Sequence, residues 1–127
     1  EETLMAVTDT QDIDPALDDL TEFSRHTHGL ATKVQALRDE AIYKDGHISA
    51  KTKVLAAALW SVSVRCEPCL KFYVQKAKAY GATTEEIAEF LGIAPAMGAC
   101  VGEMWALKGF HAAINGADVD PDGGCCT

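Results

Sequence analysis

Ser49-Ala-Lys-Thr-Lys-Val-Leu-Ala-Ala-Ala-Leu-Trp-Ser-Val-Ser-Val64 is the stretch on which the fold turns. Val54, Leu55, Ala58, Leu59 and Val62 recur at helical spacing, Ala56 and Ala57 widen the apolar face, and Ser49 supplies a side-chain cap. Trp60 to Val64 also reads as a strand, but no partner strand is evident elsewhere in the chain. The stretch therefore predicts a helix, apolar over most of its circumference and buried on most sides.

Working outward, the neighbouring signals are helical too. Downstream, Pro68 suits the first turn of a helix running to about Tyr80, where Gly81 ends it. Thr83 with Glu86 forms a capping box for a short helix through Leu91. Gly92 breaks that helix, and Pro95 opens a last one carrying Met97, Val101, Met104, Trp105 and Ile114, ending near Asn115-Gly116. Upstream, Asp14 before Pro15 starts a helix with Leu17, Leu20 and Phe23. Gly29 interrupts it, and Val34, Leu37, Ala41 and Ile42 continue as a second helix that Asp45-Gly46 ends. The expected class is all-α with about six helices: an acidic segment over 1–13, one helical domain over 14–116, and a flexible Gly/Cys tail over 117–127.

The 127 residues carry a net charge of −8. Glu1, Glu2, Asp9, Asp12, Asp14, Asp118, Asp120 and Asp122 account for all of it, so residues 15–117 are balanced. No clustered positive charge offers a nucleic-acid surface. Glu1 to Asp14 has neither a basic start nor an apolar stretch, so it does not read as a signal peptide, although a cleaved one would leave no trace. No apolar run is counted as long enough to cross a bilayer. The expectation is no membrane partner and a cytoplasmic location.

Five cysteines are many for a cytosolic chain, and an odd number cannot all pair within one copy. None precedes Cys66, a distribution unlike that of a disulfide scaffold. Cys66-Glu-Pro-Cys69 lets two sulfurs meet across one helical turn, at a helix start whose partial positive charge favours a thiolate. Arg65 adds to that effect and Glu67 opposes it. The pair reads as redox-active, as half of a zinc site, or as two inert core thiols. A zinc site needs two more ligands, and no second CxxC or HxxxH exists.

Residues from about Ile48 to Met97 resemble the AhpD-like alkylhydroperoxidase and carboxymuconolactone decarboxylase superfamily. The likeness rests on Ile48-Ser-Ala-Lys-Thr-Lys-Val-Leu-Ala-Ala-Ala-Leu, then Cys66-Glu-Pro-Cys69, then Ala77-Lys-Ala-Tyr-Gly81-Ala-Thr-Thr-Glu-Glu-Ile87. The resemblance implies an all-α fold assembled as trimers or hexamers. It implies that Cys69 attacks a peroxide and that Cys66 then condenses with the sulfenic acid to a disulfide, with electrons returned by an external dithiol or reductase. Redox-active members also carry a Glu twelve residues before the first cysteine, a His directly before the second, and a His four residues after it. Here those positions are Val54, Pro68 and Tyr73. Tyr73 can donate a hydrogen bond, but its phenol is a poor base near neutral pH. The expected activity is thus thiol–disulfide exchange, with peroxide reduction lacking its usual Glu/His proton relay.

Gly123-Gly124-Cys125-Cys126 places vicinal thiols on a glycine hinge. Cys125 and Cys126 are possible auxiliary thiols, passing electrons to Cys66–Cys69 or capturing a soft metal or metalloid with them. A soft-metal binding protein and a non-catalytic oligomer of the decarboxylase-like family are the competing readings. Cys100 is expected as a small core residue, His26 and His28 as caps on helix carbonyls, and His47 as solvated. With no GxGxxG and no phosphate loop, no organic cofactor is expected, and no resident metal.

Overall fold

The computed structural model describes residues 13–116, 118 and 121–123. Among these there is no strand, and the element order is a 3₁₀ turn Pro15–Asp19 followed by α1 (Leu20–His26), α2 (Leu30–Ala41), α3 (Ala50–Ser63), α4 (Glu67–Ala79), α5 (Thr84–Leu91) and α6 (Ile93–Asn115). The chain divides into two compact units, Glu1–Ala94 and Pro95–Thr127.

In the first unit, local chemistry sets nearly every boundary. Asp14 accepts from the Ala16 N–H at 2.8 Å, but the turn it caps is 3₁₀ and the α-helix starts only at Leu20. The end of α1 is closed by Thr27, whose hydroxyl donates to the Phe23 and Ser24 carbonyls. The histidines expected to do this do not. His26 pairs instead with Glu22 at 3.0 Å, one turn back. Ser49 caps α3 through the Thr52 N–H. Thr83 and Glu86 form the expected capping box on α5, and Lys51 reaches Glu86 from α3 at 3.2 Å. The backbone N–H of Thr83 and then Lys51 hold the Glu86 carboxyl below the usual carboxylate range.

The core forms where α3, α4 and α5 pack together. Val54, Leu55, Ala77 and Ala82 are buried at its centre, with Ile42, Tyr43, Tyr73, Ile87 and Phe90 against them. Ile42 and Tyr43 belong to the exit from α2, so this loop closes the core beside α4. Ser61, buried on α3, turns its hydroxyl back to the Ala57 carbonyl at 2.8 Å, which satisfies it without a partner from another helix. Trp60, 64% exposed, lies with Ala56 and Ser63 on the one exposed strip of α3, whose other residues are buried or half-buried, as expected.

The second unit carries α6, which is apolar around its whole circumference. Met97, Val101, Met104, Trp105, Leu107, Phe110 and Ile114 are all exposed. Pro95 lies in its first turn, where a missing N–H costs no hydrogen bond, so the helix begins at Ile93, two residues before the expected opening. This continuity corrects the count of apolar runs. By length and composition, a stretch within Thr84–Asn115 is long and apolar enough to cross a membrane.

Candidate dithiol site

The candidate site is built on the turn between α3 and α4. After Ser63 the chain makes a Schellman closure: the Arg65 N–H bonds the Val62 carbonyl at 3.2 Å and the Cys66 N–H bonds the Ser61 carbonyl at 3.0 Å. The residue at the left-handed position of this motif is normally glycine. At the end of α4 it is Gly81, with φ of 95°. Between α3 and α4 it is Arg65, with φ of 59°. An L-residue there costs roughly 1–2 kcal/mol. Arg65→Gly is therefore expected to stabilise the protein by about 1 kcal/mol, raising the thermal midpoint by roughly 4 °C. A midpoint unchanged or lowered in a melting scan would show that the Arg65 side chain contributes more than its backbone costs.

This turn delivers Cys66 to the N-cap of α4 in extended backbone, with Glu67 and Pro68 at the first two helical positions and Cys69 at the third. A disulfide joins Cys66 and Cys69, whose Cα atoms lie 5.3 Å apart. Both residues are half-buried. Pro68 has no N–H, and the Leu70 N–H is taken by the Cys66 carbonyl at 2.9 Å. Glu67 and Cys69 carry the other N–H groups of this first turn, and the partial positive charge of a helix start favours a thiolate there. Glu67 is drawn to Lys71 at 3.2 Å, one turn along, so its opposing charge is partly offset.

One helical face carries the site inward: Cys69, Tyr73, Lys76 and Tyr80 follow each other at spacings of four, three and four residues. Tyr73 packs edge-on to Phe72, with ring centroids 5.2 Å apart, and against the core that contains Val54. The two positions singled out as relay substitutes, Val54 and Tyr73, thus meet in the same buried cluster. Val54 has no exposed surface at all.

Sequence reasoning missed two residues here. Tyr43 comes in from the end of α2, its ring centroid 6.1 Å from that of Tyr80. Lys76 is only 7% exposed, its ammonium 4.6 Å above the Tyr43 ring and 5.2 Å from the centre of Phe72. Burial pushes its pKa down, with Asp39 opposing the shift. The stripe spacing from Cys69 was the available signal for Lys76. No local signal marks Tyr43.

A family profile described as the carboxymuconolactone decarboxylase family matches residues 29–112. The chain belongs to this family. The match runs from the start of α2 to near the end of α6, and so covers the dithiol, Val54 and Tyr43. An uncharacterized protein of Cupriavidus necator is 36% identical over 69 residues, which cover 54% of this chain and 61% of that relative. The chain thus spans about three-fifths of the length of the curated relative it matches. No solved structure matches the chain.

Of the other sequence candidates, Cys100 and His111 belong to the second unit. Cys100, expected in the core, is exposed on α6. Periodicity cannot choose a buried side in a helix that is apolar all round. His47 is exposed as expected. His111 bonds Asn115 at 3.2 Å within its own helix. Cys125 and Cys126 lie outside the described residues. Among the described residues no group of three His, Cys, Asp or Glu side chains is placed to hold a metal ion.

Proposed function

We propose that this member of the carboxymuconolactone decarboxylase family is a thiol–disulfide oxidoreductase that cycles Cys66 and Cys69. The observation that carries the reading is the disulfide across the first turn of α4, its sulfurs held between an N-cap and a third helical position. An external dithiol or reductase supplies two electrons and two protons, the Cys66–Cys69 bond breaks, and the donor leaves as its own disulfide. Cys69 is the attacking thiol toward an oxidised substrate and Cys66 resolves the mixed species. Tyr73 assists as a hydrogen-bond donor. Hydroperoxide reduction is a slow side activity, because the Val54, Pro68 and Tyr73 positions carry no general acid–base pair. The protein works as a homo-oligomer, a trimer or hexamer, in the reducing cytoplasm.

Mild oxidation of the reduced protein should remove two thiols, and a dithiol should restore them. Mass mapping should place the bond between Cys66 and Cys69. If the oxidised protein keeps both thiols free, the redox reading fails. If zinc or arsenite instead protects four thiols, including Cys125 and Cys126, the protein is a soft-metal binder.

A further inference from the structure

Tyr43 and Lys76 are polar groups that the dithiol chemistry does not use, and both sit against the helix face that leads to Cys69. The Tyr43 hydroxyl is buried and has no hydrogen-bond partner among the described residues. Leaving such a group unpaired costs about 1–3 kcal/mol. Lys76 forms no ion pair with the described carboxylates. Its ammonium rests on the Tyr43 ring instead. Tyr73 packs into the same cluster from one turn beyond Cys69. Two costly buried groups at one spot call for a shared reason.

We propose that Tyr43 and Lys76 are positioning residues for the Cys69 thiolate: on reduction the Tyr43 hydroxyl donates to the Tyr73 oxygen, the Tyr73 hydroxyl donates to the Cys69 sulfur, and the Lys76 ammonium, seated on the Tyr43 ring, strengthens the first donor. This rests on the reading that Cys66 and Cys69 cycle. In the disulfide the Cys69 sulfur carries no charge to receive a hydrogen bond, and the Tyr43 hydroxyl makes no hydrogen bond of full geometry, although the Tyr73 phenol already lies close enough to raise its pKa. When a donor thiolate attacks the Cys66 sulfur, an S–S bond to the donor forms and the Cys66–Cys69 bond breaks. The electron pair leaves on Cys69. The donor's second thiolate then displaces Cys66, and the donor's two protons end on the two protein thiols. The phenol chain stabilises the departing Cys69 thiolate, and a better leaving group leaves faster.

Burial, and then the neighbouring Tyr73 phenol, push the Tyr43 pKa far above the ordinary tyrosine value. Tyr43 therefore stays protonated and keeps a proton to donate to Tyr73. A cation on a ring face withdraws electron density from it, and successive hydrogen bonds polarise one another. The other titratable groups around the cluster are Arg38 and Asp39 of α2, Tyr80 at the end of α4, and Arg65, Glu67 and Lys71 beside the thiols. A change at Tyr43 alters the charge of none of them.

The test is the pH profile of Cys69 alkylation by iodoacetamide, read by peptide mass spectrometry in the full chain carrying Cys66→Ser. The serine keeps an oxygen at the N-cap. Tyr73→Phe should raise the midpoint by about one pH unit, a tenfold loss of rate below it. Tyr43→Phe and Lys76→Met should each raise it by roughly half as much. Lys76→Arg should restore it. Tyr43→Phe in the Tyr73→Phe background should add nothing, because Tyr43 acts only through Tyr73. An unmoved midpoint in Tyr43→Phe, with a higher melting temperature from losing an orphan hydroxyl, would overturn the proposal. So would a full extra shift in the double variant. Should Tyr43→Phe not fold, Lys76→Met decides by the same midpoint. A failure of the redox reading appears separately, as an unchanged thiol count in the wild-type chain.

Discussion

Val54→Glu combined with Tyr73→His should raise the rate of peroxide reduction by about 10²–10⁴-fold, while dithiol exchange falls by no more than the roughly tenfold expected from loss of the Tyr73 hydroxyl. Thiolate attack on a hydroperoxide breaks the O–O bond, forms an S–O bond and expels an alkoxide or hydroxide that needs a proton. Condensation of the sulfenic acid with the second thiol then releases water. An imidazole one turn beyond Cys69 supplies the proton, and a carboxylate at Val54 orients the imidazole. The geometry favours this pair, since Val54 and Tyr73 already share one cluster. The cost is also legible. Val54 has no exposed surface. Val54→Glu alone buries an unpaired charge, which typically costs about 3–5 kcal/mol against a total stability of roughly 5–15 kcal/mol. Tyr73→His should recover part of that loss, and a double-mutant cycle on melting temperature measures how much. Peroxide kinetics are compared only for variants that fold. Fast peroxide reduction by the unmodified protein, surviving Tyr73→Phe, would show that the proton comes from a different group.

The second large effect concerns assembly. Light scattering at micromolar concentration should give three or six times the chain mass of 13.6 kDa. The argument starts from α6, where Trp105 is 68% exposed and Leu107, Phe110 and Ile114 are all more than half exposed. Contiguous apolar surface of this extent marks an interaction site. A closed symmetric ring hides such a surface, whereas an open one would keep growing. Val101→Glu with Trp105→Glu should reduce the mass to that of one chain, because each introduced carboxylate would be buried without a partner in an apolar interface. A monomeric mass for the unmodified protein removes the assembly. If that monomer also partitions onto lipid vesicles, α6 serves a bilayer instead, as its length and composition permit.

Much of the fold was readable because its signals are local. Ser49 and the Thr83–Glu86 box cap helices within three residues of themselves, and Gly81 ends α4 where glycine alone is unstrained. The Cys66–Cys69 spacing determined which sulfurs could meet, since one helical turn separates them whatever the rest of the chain does. The amphipathic pattern that placed Val54 and Leu55 inside also follows from helical period alone. The sequence by itself thus determined the helix order, the position of the dithiol at a helix start, and the absence of the usual relay residues.

Packing decided the rest. Tyr43 reaches the site from thirty residues away through the exit of α2, and no spacing rule connects it to Tyr73. Lys76 reads as a surface charge, but two aromatic rings lie where its ammonium ends, so a lysine is kept inside without a carboxylate. Arg65 takes a glycine's backbone conformation because the closure of α3 onto α4 demands it. In α6 the apolar residues cover every side, so no period points to a core, and Cys100 is exposed where composition suggested burial. Local chemistry sets where a helix begins and ends. Which polar groups end up beside a sulfur depends on how separate helices pack, and that is decided only when the core closes.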